Sequence, residues 1–425
     1  MFNSGFSSPI NKLIIVAALG YFVDVYDLVL FGMERVASLK DILAPVYSNP
    51  KELNEQIAII GSSLLSYQMI GMIVGGIFWG ILGDKKGRLS VLFGSIIVYS
   101  IANILNGLVN DTYWYSILRF ISGFGLAGEL GAGITLVSES MKKEDRGIGT
   151  TIVASIGLFG AVVAGFTTIL VNNWRVSYFI GGGMGLLLLF LRMGVFESKI
   201  FDQVKENKTI KKGNFFYLFS HPKLVFKYLN IILIAIPVWF VMYFLVQFAP
   251  EMCKALGMKN GPTEGKYPIM VAYIGITIGD VVSGLLSQKL KSRKKVLFLF
   301  LSLTLFFCIT YYLFAAISIV MFYTIIFFIG FSTGYWAVFM SSASELFGTN
   351  IRSTVATTAP NFVRGSVSLM SLAFIYFKTV FDNENPSSAH INASIVIGVI
   401  VFILAYIACY YLEETFAKDL NYEEE

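Results

Sequence analysis

Charge is scarce in this sequence: of 425 residues only 14% are Asp, Glu, Lys or Arg, against a hydrophobic share of 56%. Soluble globular chains carry about 25% charged residues, so an ordinary water-facing surface is excluded, and the surplus apolar residues are expected to face lipid. Histidine is nearly missing. The two present, His221 and His390, fall in expected loops, which excludes a histidine proton relay inside a membrane and leaves carboxylates as candidate proton carriers. The three cysteines, Cys253, Cys308 and Cys409, show no paired spacing and no metal-ligand pattern. No catalytic cluster and no nucleotide-binding motif occurs, so neither an enzyme nor a resident cofactor or metal is expected. A small-residue cleavage site is lacking after the first apolar run, which is too long for a leader and reads as a membrane helix. The net charge of +5 calls for no nucleic-acid partner, because its distribution has a simpler cause.

What the sequence has in abundance is apolar runs of about 20 residues, each long enough to cross a hydrocarbon core of ~30 Å as a helix. They predict an all-α membrane protein with twelve transmembrane helices, at about 10–33, 56–82, 89–109, 113–138, 147–171, 176–196, 228–250, 267–288, 295–315, 318–343, 354–380 and 391–412. With the N-terminus inside, one set of loops carries Lys85, Lys86, Arg88, Lys142, Lys143, Arg146, seven lysines from Lys199 to Lys227, and Lys289, Lys291, Arg293, Lys294, Lys295 and Arg352. The opposite loops hold Arg35, Lys40, Lys51, Arg175, Lys254, Lys259 and Lys266. With the termini counted, the imbalance is roughly 21 to 8, which by the positive-inside rule predicts both termini in the cytoplasm. The expected setting is a bacterial inner membrane.

The polar stretch 197–227 divides the chain into helical bundles at 1–196 and 228–425, and the two echo each other. Gly80-Ile-Leu-Gly-Asp-Lys-Lys-Gly-Arg88 ends the second helix, and Gly284-Leu-Leu-Ser-Gln-Lys-Leu-Lys-Ser-Arg293 ends the eighth. Ser138-Glu139 precedes Arg146 by the same interval that separates Ser344-Glu345 from Arg352. Repeated halves of this kind build alternating-access transporters, with the site between the halves near the bilayer midplane.

The segment Gly80, Asp84, Lys85, Gly87, Arg88 resembles the G-x-x-x-D-[RK]-x-G-R signature of the major facilitator superfamily. The resemblance implies two six-helix halves, a latch at the cytoplasmic face, and Arg88 meeting an acid at the end of the fourth helix, here Glu139. Arg146, Asp280, Glu345 and Arg352 join these as gating candidates. Asp24-Val-Tyr-Asp27 is similar to the D-G-x-D element of aromatic-acid/proton symporters, departing at the glycine. Arg119-Phe-Ile-Ser-Gly-Phe-Gly-Leu-Ala-Gly-Glu129-Leu-Gly is similar to a run in metabolite/proton symporters, as are Trp174-Arg175 and Glu197-Ser198 followed by Phe201. In the second half the likeness weakens, and Gln288 stands where an aspartate is expected.

Ionisable residues within spans are costly and are functional candidates by default. They are Asp24, Asp27, Arg119, Glu129, Asp280 and Arg364. At ~1.5 Å per residue, Asp24 and Asp27 lie roughly 20–25 Å from the inner end and Arg119 roughly 10 Å from the outer end. An Asp27–Arg119 pair is therefore expected, as a coupling pair or as a structural one. Glu129 reads either as a reversible proton site or as a hydrogen-bonded structural acid. Arg364, after Pro360 and Asn361, is either free to meet a substrate carboxylate or held by Glu129 or Asp280. Trp239, Tyr243, Gln247, Tyr335, Trp336, Gln68, Tyr26 and Asn361 are the remaining candidates for substrate contact, packing being the alternative for the aromatics. Together these features predict a monomeric secondary transporter, a proton-coupled symporter of a small organic acid or zwitterion. Export of metabolites, siderophores or drugs by proton antiport, or a non-transporting receptor on the same scaffold, are the alternatives.

Overall fold

In the computed structural model, residues 9–141, 146–192, 215–382, 388–418 and 424 are described. Eleven helices among them are long and apolar enough to cross a membrane. A twelfth long helix, Arg352–Asp382, escapes that criterion because Thr354, Thr357, Thr358, Asn361 and Arg364 run along one buried face. The first three spans are Pro9–Leu43, Pro50–Lys86 and Arg88–Asn106. The fourth is Thr112–Leu126 continued by Glu129–Ser140; the fifth and sixth are Arg146–Val171 and Trp174–Arg192. The seventh runs from Pro222 to Phe240, passes through a π-helical turn Val241–Gln247, and ends as Ala249–Ala255. The eighth and ninth are Lys266–Leu290 and Arg293–Phe314. Ile319–Thr333 with Trp336–Glu345 form the tenth, Arg352–Asp382 the eleventh and Ala389–Tyr411 the last.

Each expected span is found, and the differences have physical causes. The first helix runs ten residues further than its apolar run because its charges have partners: Glu34 accepts from Ser177 Oγ at 2.9 Å, and Arg35 meets Glu251 at 2.7 Å. Arg35 and Lys40 are thus helical and not loop residues. His390 likewise lies in the first turn of the last helix, edge-on to Phe374. Lys142, Lys143 and residues 197–214, including Glu197, Ser198 and Phe201, lie outside the described residues, as does the side chain of Arg146.

Interruptions of three spans follow from composition. Glycines at 123, 125, 128, 131 and 133 weaken the fourth, Gly330 and Gly334 weaken the tenth, and Pro237 with Pro250 removes two donors from the seventh. The fourth and tenth break at equivalent points of the repeat, beside Ala127 and Gly334.

The repeat also governs packing. A Cβ at Gly71 or Gly75 of the second span would overlap the carbonyl oxygens of Phe120 and Phe124 in the fourth. Gly275 and Gly279 of the eighth stand in the same relation to Phe327 and Phe331 of the tenth. Small residues let membrane helices approach backbone to backbone, which is how helices associate where lipid offers no hydrophobic contrast. Between the first six spans and the last six, the second packs on the eleventh and the fifth on the eighth.

The chain after the last span folds back. Glu414 accepts hydrogen bonds from the N–H groups of Arg293 (2.8 Å), Thr415 (3.0 Å) and Phe416 (2.9 Å), and from the Ser292 hydroxyl. Phe416 lies under the Arg293 guanidinium at 5.1 Å. Glu414 therefore serves the start of the ninth span as a capping carboxylate.

Gly75→Ala and Gly279→Ala should each lower the melting temperature in detergent, by an amount corresponding to about 1–3 kcal/mol of overlap. Gly183→Ala should hold or raise it, since nothing lies within 4 Å of a Cβ there and a helical alanine gains about 0.5–1 kcal/mol over glycine. Partial burial alone would raise the Glu414 pKa, but the Ser292 hydroxyl and the three N–H donors outweigh it and hold the carboxyl below its ordinary 4.5. A depressed folded-state pKa makes its stabilisation complete above the free value and lost as pH falls through the folded one. Hydrogen exchange of residues 412–418 should accordingly stay slow from neutrality to about pH 4.5 and quicken only below it. Glu414→Gln should quicken it at pH 7 by roughly five-fold, the equivalent of about 1 kcal/mol of lost capping.

Candidate functional site

Between the first six spans and the last six lies an enclosed cavity of about 20 Å³, room for little more than one water molecule. Tyr21 from the first span, Trp239 from the seventh, Tyr273 from the eighth and Trp336 from the tenth form its aromatic walls, with Arg364 from the eleventh among them. Val25, Leu28, Leu158, Val238, Met242 and Ile276 supply the aliphatic part of the lining, beside Thr333. Arg364 is 1% exposed. Its guanidinium stands 6.0 Å from the Trp239 ring and 5.7 Å from the Trp336 ring. Among the described residues its one hydrogen bond is a long one, from Nη1 to Asn361 Oδ1 at 3.4 Å, and Nε donates to nothing. Trp336 Nε1 is buried without an acceptor as well.

Asp24 shares this face. Tyr21, Val25 and Leu28 line the cavity, and position 24 falls three residues after the first and four before the last, on the same side of the helix. Its side chain is fully buried there.

Asp27 points elsewhere. It is buried within the first six spans beside Asn103 and Arg119, with neither carboxylate oxygen at hydrogen-bond geometry. The expected Asp27–Arg119 ion pair is therefore a neighbourhood and not a contact. Arg119 reaches the Tyr178 hydroxyl at 3.4 Å and lies over Phe31 at 5.1 Å. Tyr178 continues to Tyr115 at 2.9 Å, and Tyr115 to Ser38 at 3.3 Å. Tyr26 joins this cluster by donating to the Ser177 carbonyl. Neither Arg119 nor Tyr26 lines the central cavity: position 27 is rotated about 60° beyond Asp24, away from the stripe, and position 26 falls on the opposite side of the helix.

Polar side chains serve the helix breaks. Asn361 Nδ2 donates to the Ala127 carbonyl at 2.8 Å and to Thr357 at 2.7 Å, tying the eleventh span to the gap in the fourth. Glu129, 1% exposed, opens the helix that resumes after that gap. Asp280 accepts from Ala337 N at 2.7 Å at the resumed end of the tenth span, and from Ser155 Oγ of the fifth at 3.2 Å.

At the face of the Gly80–Arg88 motif, the gating candidates converge. Asp84 accepts from the N–H groups of Ser353 (3.1 Å) and Thr354 (2.8 Å) and from Thr354 Oγ1 (2.6 Å), at the positive N-terminus of the eleventh span. Gly80 carries no side chain where the second span meets Thr354, and Gly87 takes a left-handed φ of 99° between two helices. Arg88 pairs with Glu139 at 2.7 Å, and Arg352 reaches the same oxygen at 3.4 Å. Glu345 pairs with Arg293, at 3.2 Å. Lys85 is exposed and stands apart from these contacts. The opposite face is bridged by Arg35–Glu251, by Arg35 over Phe248 at 4.2 Å, and by Ser62 with Tyr243 (2.9 Å) and Ser371 (3.3 Å).

Several residues expected at the substrate are therefore placed in packing or closure. Tyr243 belongs to the outer bridge. Gln247 lies against Gly32 and Gly265 in the π turn, Tyr335 donates to the Ile234 carbonyl, and Gln68 reaches the Leu28 carbonyl. Sequence reasoning missed Tyr21, Tyr273 and Arg293. The i, i+3, i+4, i+7 stripe Tyr21, Asp24, Val25, Leu28, and the spacing of Tyr273, Ile276 and Asp280, held the first two; Arg293 stood at the end of the second motif copy.

The whole fold is shared with a solved proton:xylose symporter, at a TM-score of 0.73 over 98% of each chain with 18% sequence identity. A putative metabolite transport protein of Haemophilus influenzae is 31% identical over 45% of this chain and 45% of its own. A benzoate transport protein of Acinetobacter baylyi is 30% identical over 46% and 41%, and a proline/betaine transporter of Escherichia coli 26% identical over 68% and 61%. The chain thus spans about half the length of the first of these relatives. A profile of the Major Facilitator Superfamily matches residues 37–371. With that match covering most of its length, the chain belongs to the major facilitator superfamily of membrane transporters.

Proposed function

We propose that this protein is a proton-coupled symporter of a small organic acid or zwitterion, working by alternating access in a bacterial inner membrane. The observation that carries the reading is the buried, under-bonded Arg364 guanidinium in a cavity between the two six-span halves. A buried arginine presents a planar fork that matches the two oxygens of a carboxylate. The halves, 1–196 and 228–425 joined by the linker 197–227, are taken as the two moving bodies. The face of the Gly80–Arg88 motif is taken as cytoplasmic with both termini, as the lysine-rich loops favour. Relatives named for benzoate and for proline/betaine agree in being named for small carboxylates.

Coupling is assigned to Asp27, with Arg119 and Asn103 as the groups that set its proton affinity, and to Asp24 and Glu129 as further carboxylates on the path. Their burial makes each a site where a proton changes local charge by a full unit in a low-dielectric surrounding. In proteoliposomes, Asp27→Asn should abolish accumulation against a gradient and leave exchange of internal for external substrate at a comparable rate. Retained accumulation would remove Asp27 from the coupling path.

Asp84 supports closure of the motif face through its bond to the start of the eleventh span. Asp84→Asn keeps one acceptor and loses the charge, so ligand affinity should stay within about three-fold while turnover falls ten-fold or more. Cysteines introduced at Thr150 and Ser341, whose hydroxyls lie 2.7 Å apart across the halves, should become accessible to a membrane-impermeant thiol reagent applied from the motif side. Unchanged labelling together with normal turnover would remove the latch from the mechanism.

A further inference from the structure

The first six spans hold a second polar cluster, apart from the central cavity. The Tyr178 hydroxyl accepts from Arg119 Nη1 at 3.4 Å, Tyr178 and Tyr115 share a bond of 2.9 Å, and Tyr115 donates to Ser38 Oγ at 3.3 Å. Ser38 in turn donates to the Arg35 carbonyl at 3.4 Å. Glu34 stands four residues before Ser38, on the same side of the first span, and accepts from Ser177 Oγ at 2.9 Å. None of these side chains lines the central cavity. Exposure is 5% at Glu34 and 0% at Ser38, Tyr115, Tyr178, Arg119 and Asp27, so the carboxylate of Glu34 is the point at which the cluster meets the outer face. Gly265 abuts the Gly32 carbonyl there, which sets the Glu264–Lys266 pair, 2.6 Å apart, beside that point. Arg35 with its partner Glu251 adjoins it on the other side.

The inner end of the cluster is Asp27. A Cβ at Gly181 would overlap Asp27 Oδ1, so the carboxylate lies against the sixth span about one turn inward of Tyr178. Its polar neighbours are Asn103 of the third span, whose Oδ1 accepts from Ser122, and Arg119 of the fourth. Both Asp27 oxygens, Arg119 Nε and Nη2, and Asn103 Nδ2 are buried without partners among the described residues. Donors and acceptors left over in one place are the setting that holds a buried water.

The direction of the chain is fixed at its far end. A carbonyl only accepts, so the Ser38 hydroxyl must donate to Arg35; Tyr115 then donates to Ser38, and Tyr178 to Tyr115. All three hydroxyls point away from Asp27. A chain stands this way after a proton has moved inward along it, each oxygen having taken a proton from its outer neighbour and given its own to the inner one.

We propose that Glu34, Ser38, Tyr115 and Tyr178 form the route by which a proton passes between the outer face and Asp27, separate from the central cavity. This rests on the assignment of Asp27 as the coupling acid. A hydronium ion at Glu34 loses one O–H bond, each hydroxyl exchanges one O–H bond for another, and one O–H bond forms on Asp27, a buried water closing the last turn. Arg119 keeps its protons and serves as a positioning residue for Tyr178. Proton and cavity ligand then meet the first span on different sides, at Asp27 and at Asp24.

The experiment is a flash-induced pH jump from a caged proton, applied to the purified full-length protein in nanodiscs and followed by the infrared carbonyl band of a buried protonated carboxyl. The band of Asp27 is the one lost in Asp27→Asn. Tyr115→Phe and Ser38→Ala, at residues that do not bond to Asp27, should each slow the rise of that band by about ten-fold or more and leave its pH midpoint unmoved. Glu34→Gln should slow it as well. Tyr335→Phe, which deletes a buried hydroxyl bonded to the Ile234 carbonyl of the seventh span, should leave the rate unchanged. A shifted midpoint with an unchanged rate in Tyr115→Phe and Ser38→Ala would mark a structural role and overturn the route. Unchanged rate and midpoint in both would overturn it too, leaving Asp27 as the coupling acid. If Asp27→Asn removes no band, the coupling role of Asp27 falls, and the route with it.

Discussion

Hydrocarbon offers no hydrogen bonds, so a helix that breaks inside the bilayer must have its freed backbone groups met by the protein. Three spans of this chain break, and the groups that meet them are among the residues that shape the centre of the molecule. Asn361 bonds the Ala127 carbonyl at the gap in the fourth span, and Asp280 bonds Ala337 N where the tenth resumes. Both repairs come from a neighbouring span, and the first crosses from the eleventh span to the fourth. Asn361 also accepts from Arg364, so the guanidinium is oriented by the same side chain that mends the backbone. The cavity inherits its geometry from this requirement.

The internal repeat makes the two ends of the molecule comparable, and the comparison shows where symmetry was dropped. Asp84 brings a full charge to the N-terminus of the eleventh span. Gln288, its counterpart, lies against Gly147 at the N-terminus of the fifth. An amide dipole gains less there than a carboxylate, for which a helix N-terminus is worth about 0.3–1 kcal/mol when exposed and up to ~2 kcal/mol when partly buried. The second copy recovers order by another route: Glu414 caps the ninth span and Phe416 supports Arg293. Arg293 in turn holds Glu345, as Arg88 holds Glu139. One half keeps its loop in place with charge against a helix dipole, the other with a returning tail.

Much of the fold was legible in the sequence because period and loop charge are local signals. Each of the twelve spans could be read from its apolar run, including the eleventh, whose polar stripe from Thr354 to Arg364 lowers hydropathy without shortening the helix. The extension of the first helix through Glu34 and Arg35 was not legible, since it depends on Ser177 and Glu251, far away in the chain. At the site, residue type identified Arg364, Trp239 and Trp336, while rotation about the helix axis decided between Asp24 and Asp27. Three residues apart, they differ by about 60°, enough to turn one to the cavity and the other to Asn103 and Arg119. Glycine contacts were the least visible: Gly71, Gly75, Gly275 and Gly279 matter through the carbonyls they admit, and nothing in the sequence alone shows which neighbour comes close.

Magnitudes explain why the arginine at 364 amounts to an unfinished interaction. Removing a guanidinium from water costs several kcal/mol even after relaxation. Against this, a desolvated cation–π contact returns up to about 2 kcal/mol, and the rings of Trp239 and Trp336 lie at the far end of the useful range. The bond to Asn361 is long and adds about 1 kcal/mol at most. Asp24, buried on the cavity side of the first span, adds an opposite charge to the same surroundings. The balance is short of the cost, so the rest of the fold carries the difference. On the proposed reading, an anion placed in the fork offsets part of that deficit.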